Sequence, residues 1–265
     1  MMNLPFLNRA PMVAVLRLQG MIASGGSAGR LNDVTLAPAI EAAFRRGKPK
    51  AVALVINSPG GSPVQSALIA ARIRRLAAET KLPVLAFVED VAASGGYWLA
   101  TAADEIYTDA NSVVGSIGVI SAGFGLQEMI ARIGVERRVY TSGKSKSQLD
   151  PFRPENPEDV ARIKALMEQI HANFIAQVTE RRGTKLAQDD SLFTGQFWLG
   201  ARATELGLVD GIGHLVPMMK ARFGDKVKFR SYGVRRSLLA RFGMSLVADA
   251  MALAEERALY ARFGL

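Results

Sequence analysis

Two nearly unbroken apolar runs, AVALVIN (51–57) and PVLAFVE (83–89), constrain this chain more than any other feature. A strand with one wet face alternates apolar and polar residues. A strand-length run that is apolar at both parities reads as a strand covered on both faces, the signature of a parallel sheet between helices. The segment joining the two runs fits that reading. SPGGSP (58–63) is a turn, Ser62 can cap a helix, Pro63 suits the first helical position, and the helical pattern continues to about Glu79. This is a βαβ unit.

The same alternation extends along the chain. MVAVLRL (12–18) predicts a first strand, and residues 23–29 predict a Gly/Ser-rich loop. Residues 35–46 predict a helix stopped at Gly47, EIYTD and VVGSIGVIS predict further strands, and residues 157–182 predict a long helix. The expected fold is a layered α/β architecture over residues 12–225. It is preceded by a short tail (1–11) and followed by an extension (226–265) made of a strand-like piece and an amphipathic helix. A chain of 265 residues that is 49% apolar can bury the core this requires. It has no cysteine, which excludes disulfides and thiolate-bound zinc. Its two histidines come without a carboxylate cluster, so no metal site is expected, and no cofactor. The N-terminal apolar run is strand-length and carries Arg9 and Arg17. The sequence therefore predicts neither signal peptide nor transmembrane helix, and a location in the cytoplasm or peripheral to the inner membrane.

The chemistry concentrates in two glycine turns, Ser58-Pro-Gly-Gly61 and Ser94-Gly-Gly96, each following a buried strand. Glycine allows close backbone approach. An oxyanion hole needs two N–H donors about 3 Å from the developing negative charge, and Gly61 and Gly95 are the natural pair. Ser94, entering a helix, is the candidate nucleophile, although a serine there can equally be a plain cap. A nucleophilic serine needs a base, and neither His171 nor His214 lies near it in sequence. Lys146, in SGKSKSQLDPF (142–152), is the candidate, which points to Ser/Lys acyl transfer, although a lysine there can equally be a solvated loop residue. A lysine base must lose its proton. Bringing its pKa from about 10.4 to about 8 requires roughly 3 kcal/mol of destabilisation of the charged form, from apolar walls or from neighbouring cations such as Lys144, Arg137 and Arg138. Gly143-Lys144-Ser145 does not complete a phosphate loop, because the glycine required five positions earlier is Arg138. Ser-x-x-Lys is absent.

Five segments carry a resemblance: INSPGGS (56–62), AASGGYWLATAADEIY (92–107), VGSIGV (114–119), SGKSKSQLDPF (142–152) and GARATELGLVDGIG (200–213). In this order they resemble the signal peptide peptidase A family of serine peptidases, with its ClpP/crotonase-type fold. The resemblance implies Ser94 as nucleophile, Lys146 as general base, Ser116 as the residue orienting the lysine, and Gly61 and Gly95 as oxyanion donors. It implies apolar peptides, such as remnant signal peptides, as substrates. Some relatives carry the domain twice, with serine and lysine in different halves. The single copy here implies a homo-oligomeric ring whose dyads are shared between subunits.

The net charge of +9 is unevenly spread: between Lys220 and Arg241 stand eight Lys/Arg and one acid, Asp225. Leu239, Phe242, Leu246, Ala250 and Leu253 follow at helical spacing. This tail reads as subunit packing or as peripheral contact with an anionic membrane. No basic stripe interleaved with aromatics suggests nucleic acid. Two rival functions remain, a crotonase-type acyl-CoA enzyme and a catalytically incompetent membrane-associated scaffold. Neither would leave a covalent adduct on Ser94.

Overall fold

The computed structural model describes residues 10–25, 30–143, 145–233 and 257–265. In chain order the elements are β1 (Met12–Gln19), α1 (Asp33–Arg45), β2 (Ala51–Ser58), α2 (Pro63–Thr80), β3 (Val84–Ala93), α3 (Gly95–Ala100), β4 (Glu105–Thr108) and β5 (Val113–Gly115). They continue with α4 (Gln127–Arg132), α5 (Pro157–Arg182), β6 (Phe197–Leu199), α6 (Gly200–Glu205), β7 (Gly211–Ile212), α7 (Leu215–Phe223) and β8 (Lys228–Tyr232). The chain divides into two compact units, residues 1–117 with 175–265, and residues 118–174.

The first unit is built on one sheet in the order β6-β5-β3-β2-β1-β8, with β4 also pairing β3 and β7. Every pairing is parallel except β5 with β6. All eight residues of β2 are buried, which explains its continuous apolar run. Val13, Val15, Ala53, Val55, Leu85 and Phe87 pack with Met219 of α7. The alternate positions Ala14, Leu16, Leu54 and Ile56 are equally buried and point to the opposite side. There α1 touches β1, and α2 packs on α1. Asn32 caps α1 by accepting from the Thr35 N–H, and Ser62 caps α2 by accepting from the Gln65 N–H. The two helices are clamped by Arg72, whose Nε and Nη2 each donate to Asp33 at 2.7 Å.

The expected first strand, both early helices and the helix 157–182 fall where the sequence placed them, within a residue or two. Two expectations change. The strand expected at 83–89 runs on to Ala93, because an irregularity in mid-strand lets it continue past the charged pair Glu89-Asp90. The strand expected over VVGSIGVIS stops at Gly115, where the backbone turns to positive φ at Gly115 and Ser116. The piece VKFRSYG of the expected extension supplies β8, an outer strand of this same sheet. The amphipathic positions Leu239 to Leu253 lie outside the described residues.

Asp210 ties the last turn of α5 to the sheet. It accepts from Arg182 Nη1 at 2.8 Å, Lys185 Nζ at 2.6 Å and the Ile106 N–H at 2.8 Å. Burial works to raise its pKa, but the Arg182 and Lys185 hydrogen bonds outweigh this and hold the carboxyl below the usual range. A carboxylate with a depressed folded pKa stabilises the fold above its unfolded pKa, and that contribution is lost as pH falls through the folded value. Asp210→Ala strands the buried Arg182 guanidinium and should cost about 3 kcal/mol in denaturant unfolding at pH 7. The gap between the two proteins should narrow below about pH 4. A gap unchanged down to pH 3 would show that the carboxylate charge is not what stabilises.

Candidate active site

Everything that positions Ser94 follows from a slip in one ladder. Strands β2 and β3 run in register to Ile56↔Val88 and resume at Ser58↔Ala92, so three residues of β3 stand opposite Asn57 alone. The slip is held at both ends. Asn57 Nδ2 donates to Asp90 at 2.5 Å, and the buried Ser112 hydroxyl donates to Glu89 O at 2.5 Å. Before the slip β3 pairs with β4, and after it with β5. The end of β3 thereby comes beside Gly115, whose carbonyl accepts the Ser94 N–H at 2.9 Å.

Ser94 sits at φ +52°, ψ −123°, a strained conformation for a residue with a side chain. It turns the chain sharply from β3 into α3, and its carbonyl accepts from the Tyr97 and Trp98 N–H groups at 2.9 and 3.0 Å. Its side chain makes no capping hydrogen bond. The plain-cap reading therefore fails, and among the described residues the hydroxyl of this half-buried serine has no hydrogen-bond partner. The following helix has only six residues and carries a correspondingly small dipole.

The nearby amides come from the two glycine turns, which the fold presses together. A methyl group on Gly60 would lie 2.7 Å from both Ala93 O and Gly95 N, and 2.9 Å from Ser94 Cβ. A methyl on Gly95 would lie 3.4 Å from Gly61 N. The loop is pinned from behind: Gly60 N donates to Ser58 Oγ at 3.2 Å, Ile22 N donates to Gly60 O, and Ser62 N donates to Ile22 O, the last two at 2.8 Å. Among the described residues, neither the Gly61 N–H nor the Gly95 N–H finds an acceptor. Two fixed, unsatisfied donors beside a free serine hydroxyl form an anion-stabilising arrangement. Ser116 follows Gly115 at φ +53°, its N–H donating to Gln196 O at 2.6 Å, so the ladder brings it close to the Ser94 turn.

Lys146 belongs to residues 118–174. It lies exposed on a turn in which its N–H donates to Gly143 O at 3.2 Å. Two of the three cations expected to act on it are engaged elsewhere: Arg137 pairs with Asp150 at 3.2 Å, and Arg138 with Glu136 at 2.6 Å. The third, Lys144, lies outside the described residues. This unit leaves much apolar surface open. No residue of α4 is buried, and Phe124 and Tyr140 are 82% and 91% exposed. His214 is exposed beside Asp109, at 3.4 Å. Sequence reasoning passed over Asn57, Asp90 and Ser112. The available signal was a pair of acids, Glu89-Asp90, inside an otherwise apolar strand.

Residues 77–222 match the family model described as Peptidase family S49. The chain is 49% identical over 96% of its length to a Brucella melitensis protein named Na(+)/H(+) antiporter NhaA, covering 37% of that protein. It is 33% identical over 76% of its length to Protease 4 of Haemophilus influenzae, covering 32% of it. The chain thus spans about a third of these relatives. No described helix is long and apolar enough to cross a membrane. Solved structures of the 1510-N membrane-bound stomatin-specific protease, one of them in complex with a substrate peptide, superpose with TM-scores of 0.51 and 0.50 at 14% identity. They cover 87% and 88% of this chain, and 100% and 95% of their own. At that identity the likeness is one of fold.

The contact between the two turns is testable on its own. Gly60→Ala should push the Gly95 amide and Ser94 apart while leaving the sheet intact. Acylation of Ser94 by a fluorophosphonate, followed by mass spectrometry, should slow roughly 10²–10³-fold, the typical cost of losing an oxyanion donor. Unchanged far-UV circular dichroism should accompany the loss. Acylation at the parental rate would show that the loop does not set the serine's surroundings.

Proposed function

This chain belongs to peptidase family S49, and from that premise we propose that it is a Ser/Lys endopeptidase acting on apolar peptides such as remnant signal peptides, with Ser94 as nucleophile and Lys146 as base. The observation that carries the reading is Ser94 itself. Its backbone is held in a strained turn, and among the described residues its hydroxyl is uncommitted and the two amide donors beside it have no acceptors. A crotonase-type enzyme needs paired amides but not a strained serine between them.

In the proposed cycle neutral Lys146 accepts the hydroxyl proton as Ser94 Oγ bonds to the scissile carbonyl carbon. The Gly61 and Gly95 N–H groups hold the resulting oxyanion. Lys146 returns the proton to the departing amine, and the C–N bond breaks to leave an acyl-serine. Water then adds with its proton passing to Lys146, and the ester bond breaks as Lys146 returns that proton to Ser94 Oγ, releasing the acid and restoring both the serine hydroxyl and the neutral lysine. Ser116 orients the lysine. Lys146 is exposed within one chain, whereas a lysine base needs desolvation. The apolar surface open on residues 118–174 supports a homo-oligomeric ring in which one subunit's Lys146 serves a neighbour's Ser94. Peripheral contact with an anionic membrane through the basic run 220–241 belongs to the same proposal. Arg235, Arg236 and Arg241 of that run lie outside the described residues.

Ser94→Ala and Lys146→Ala should each abolish cleavage of a fluorogenic apolar peptide. Lys146→Arg should fail equally, since arginine stays protonated. In the parent enzyme kcat/KM should climb through the alkaline side of neutrality, and replacing His171 and His214 should leave that limb in place. Turnover surviving in Lys146→Ala, or a plateau already reached at pH 6, would remove lysine from the mechanism.

Subunit sharing has a separate test. Ser94→Ala and Lys146→Ala proteins, each inactive, should regain partial activity when mixed under proven subunit exchange. A mixture that stays inactive places the dyad within one chain.

A further inference from the structure

Six cations from two distant parts of the chain meet at one end of the sheet. Arg46, Lys48 and Lys50 lie in the connection from α1 to β2, and Lys226, Lys228 and Arg230 lie in and just before β8. The parallel pairing of β8 with β1 joins them. Met12 is in register with Lys228, the Lys50 N–H donates to Met12 O, and the Lys228 N–H donates to Pro11 O, both at 2.8 Å. Lys50 and Lys228 therefore flank the start of β1, two strand spacings or roughly 10 Å apart. Arg230 leans back toward the connection. Its Nη1 would lie 3.4 Å from a methyl on Gly47, its guanidinium covers the Tyr232 ring at 5.5 Å, and the Tyr232 hydroxyl donates to Arg46 O at 2.9 Å.

All six side chains belong to exposed residues, and among the described residues none makes an ion pair. The nearby acids are mostly taken. Glu79 is shared by Arg45 and Arg75, and Glu41 faces Arg72. Asp225 alone stands beside the group in sequence. Gathering unpaired like charges on a rigid surface adds repulsion to the fold and no stability of its own. It becomes favourable when an anionic surface covers it, at about a tenfold gain in partition for every one to two cations.

We infer that this folded patch, rather than the linear run 220–241 alone, is the docking surface for anionic lipid headgroups. The inference rests on the peripheral membrane contact proposed above and adds residues 46–50 to it. The form of the patch favours lipid over nucleic acid. Its aromatic rings offer no stacking platform, because Tyr232 lies under Arg230 and Phe229 packs into the core. Arg235 and Arg236 come three and four residues after β8 in sequence. The patch also lies at the start of β2, whereas Gly60 and Gly61 follow its end. Docking there leaves the catalytic turns roughly 23 Å along the strand from the patch.

The test uses the full chain, vesicles of phosphatidylcholine with and without phosphatidylserine, and the triple variant Arg46→Gln, Lys48→Gln, Lys50→Gln. The intact protein should co-sediment with the anionic vesicles and not the neutral ones, and high salt should release it. The triple variant should partition roughly a hundredfold more weakly at low salt, with a melting temperature no lower than the parent's and an unchanged light-scattering mass. If the intact protein binds anionic vesicles and the triple variant binds them equally, the folded patch is wrong while peripheral contact stands. If the intact protein ignores anionic vesicles at low salt, both fall. Duplex DNA that displaces the protein from vesicles at equal phosphate concentration would reassign the patch to nucleic acid.

Discussion

The pairing of β2 with β3 is the constraint on which the rest of this molecule depends. Both strands are walled by apolar residues over most of their length, so neither can shift by one residue without driving polar groups into a packed layer. Between two such fixed stretches the ladder slips once, and Asn57–Asp90 and Ser112–Glu89 hold the slip. One strand can thereby serve two neighbours, β4 first and β5 afterwards. The end of β3 then arrives against the Gly60 turn with no room between them. A serine that costs about 1–3 kcal/mol in backbone strain persists only inside surroundings as over-determined as these.

What could be read from the sequence was whatever local chemistry decides. Continuous burial shows as continuous apolarity, so β2 and most of β3 were visible. Ser62-Pro63 announced α2, and the spacing of 157–182 announced α5. The course of β3 beyond Glu89 was hidden, because its two acids look like an end when read alone. They are instead the residues that make the slip, and only the partners across the ladder, Asn57 and Ser112, reveal this. The shortness of β5 was hidden too, since Val-Val-Gly-Ser-Ile-Gly-Val has strand-like composition and what stops it is a positive φ at Ser116.

The site divides along the same line. The close approach of the Gly60-Gly61 turn to Ser94 and Gly95 was legible, because such an approach needs glycine next to a buried strand. Ser116 came only through the family resemblance, and the ladder brings it near because Gly115 carries the bond to Ser94. Lys146 is different in kind. Nothing local distinguishes an exposed turn lysine from any other, and a base of this sort depends on groups distant in sequence. The six-cation patch shows the same limit at the surface: Lys50 and Lys228 are 178 positions apart by number and become neighbours only because β8 closes on β1.

The conformation of Ser94 also bears on which side chains this corner of the backbone can carry. A positive φ tolerates a single unbranched substituent on the β carbon and crowds a second one against the preceding carbonyl. Threonine offers the same hydroxyl and a similar intrinsic reactivity, yet its extra methyl is a poor fit to this backbone. Cysteine, unbranched, would fit. What can stand at position 94 is thus set by carbon skeleton before reactivity enters, and this backbone accepts Ser94→Cys more readily than Ser94→Thr.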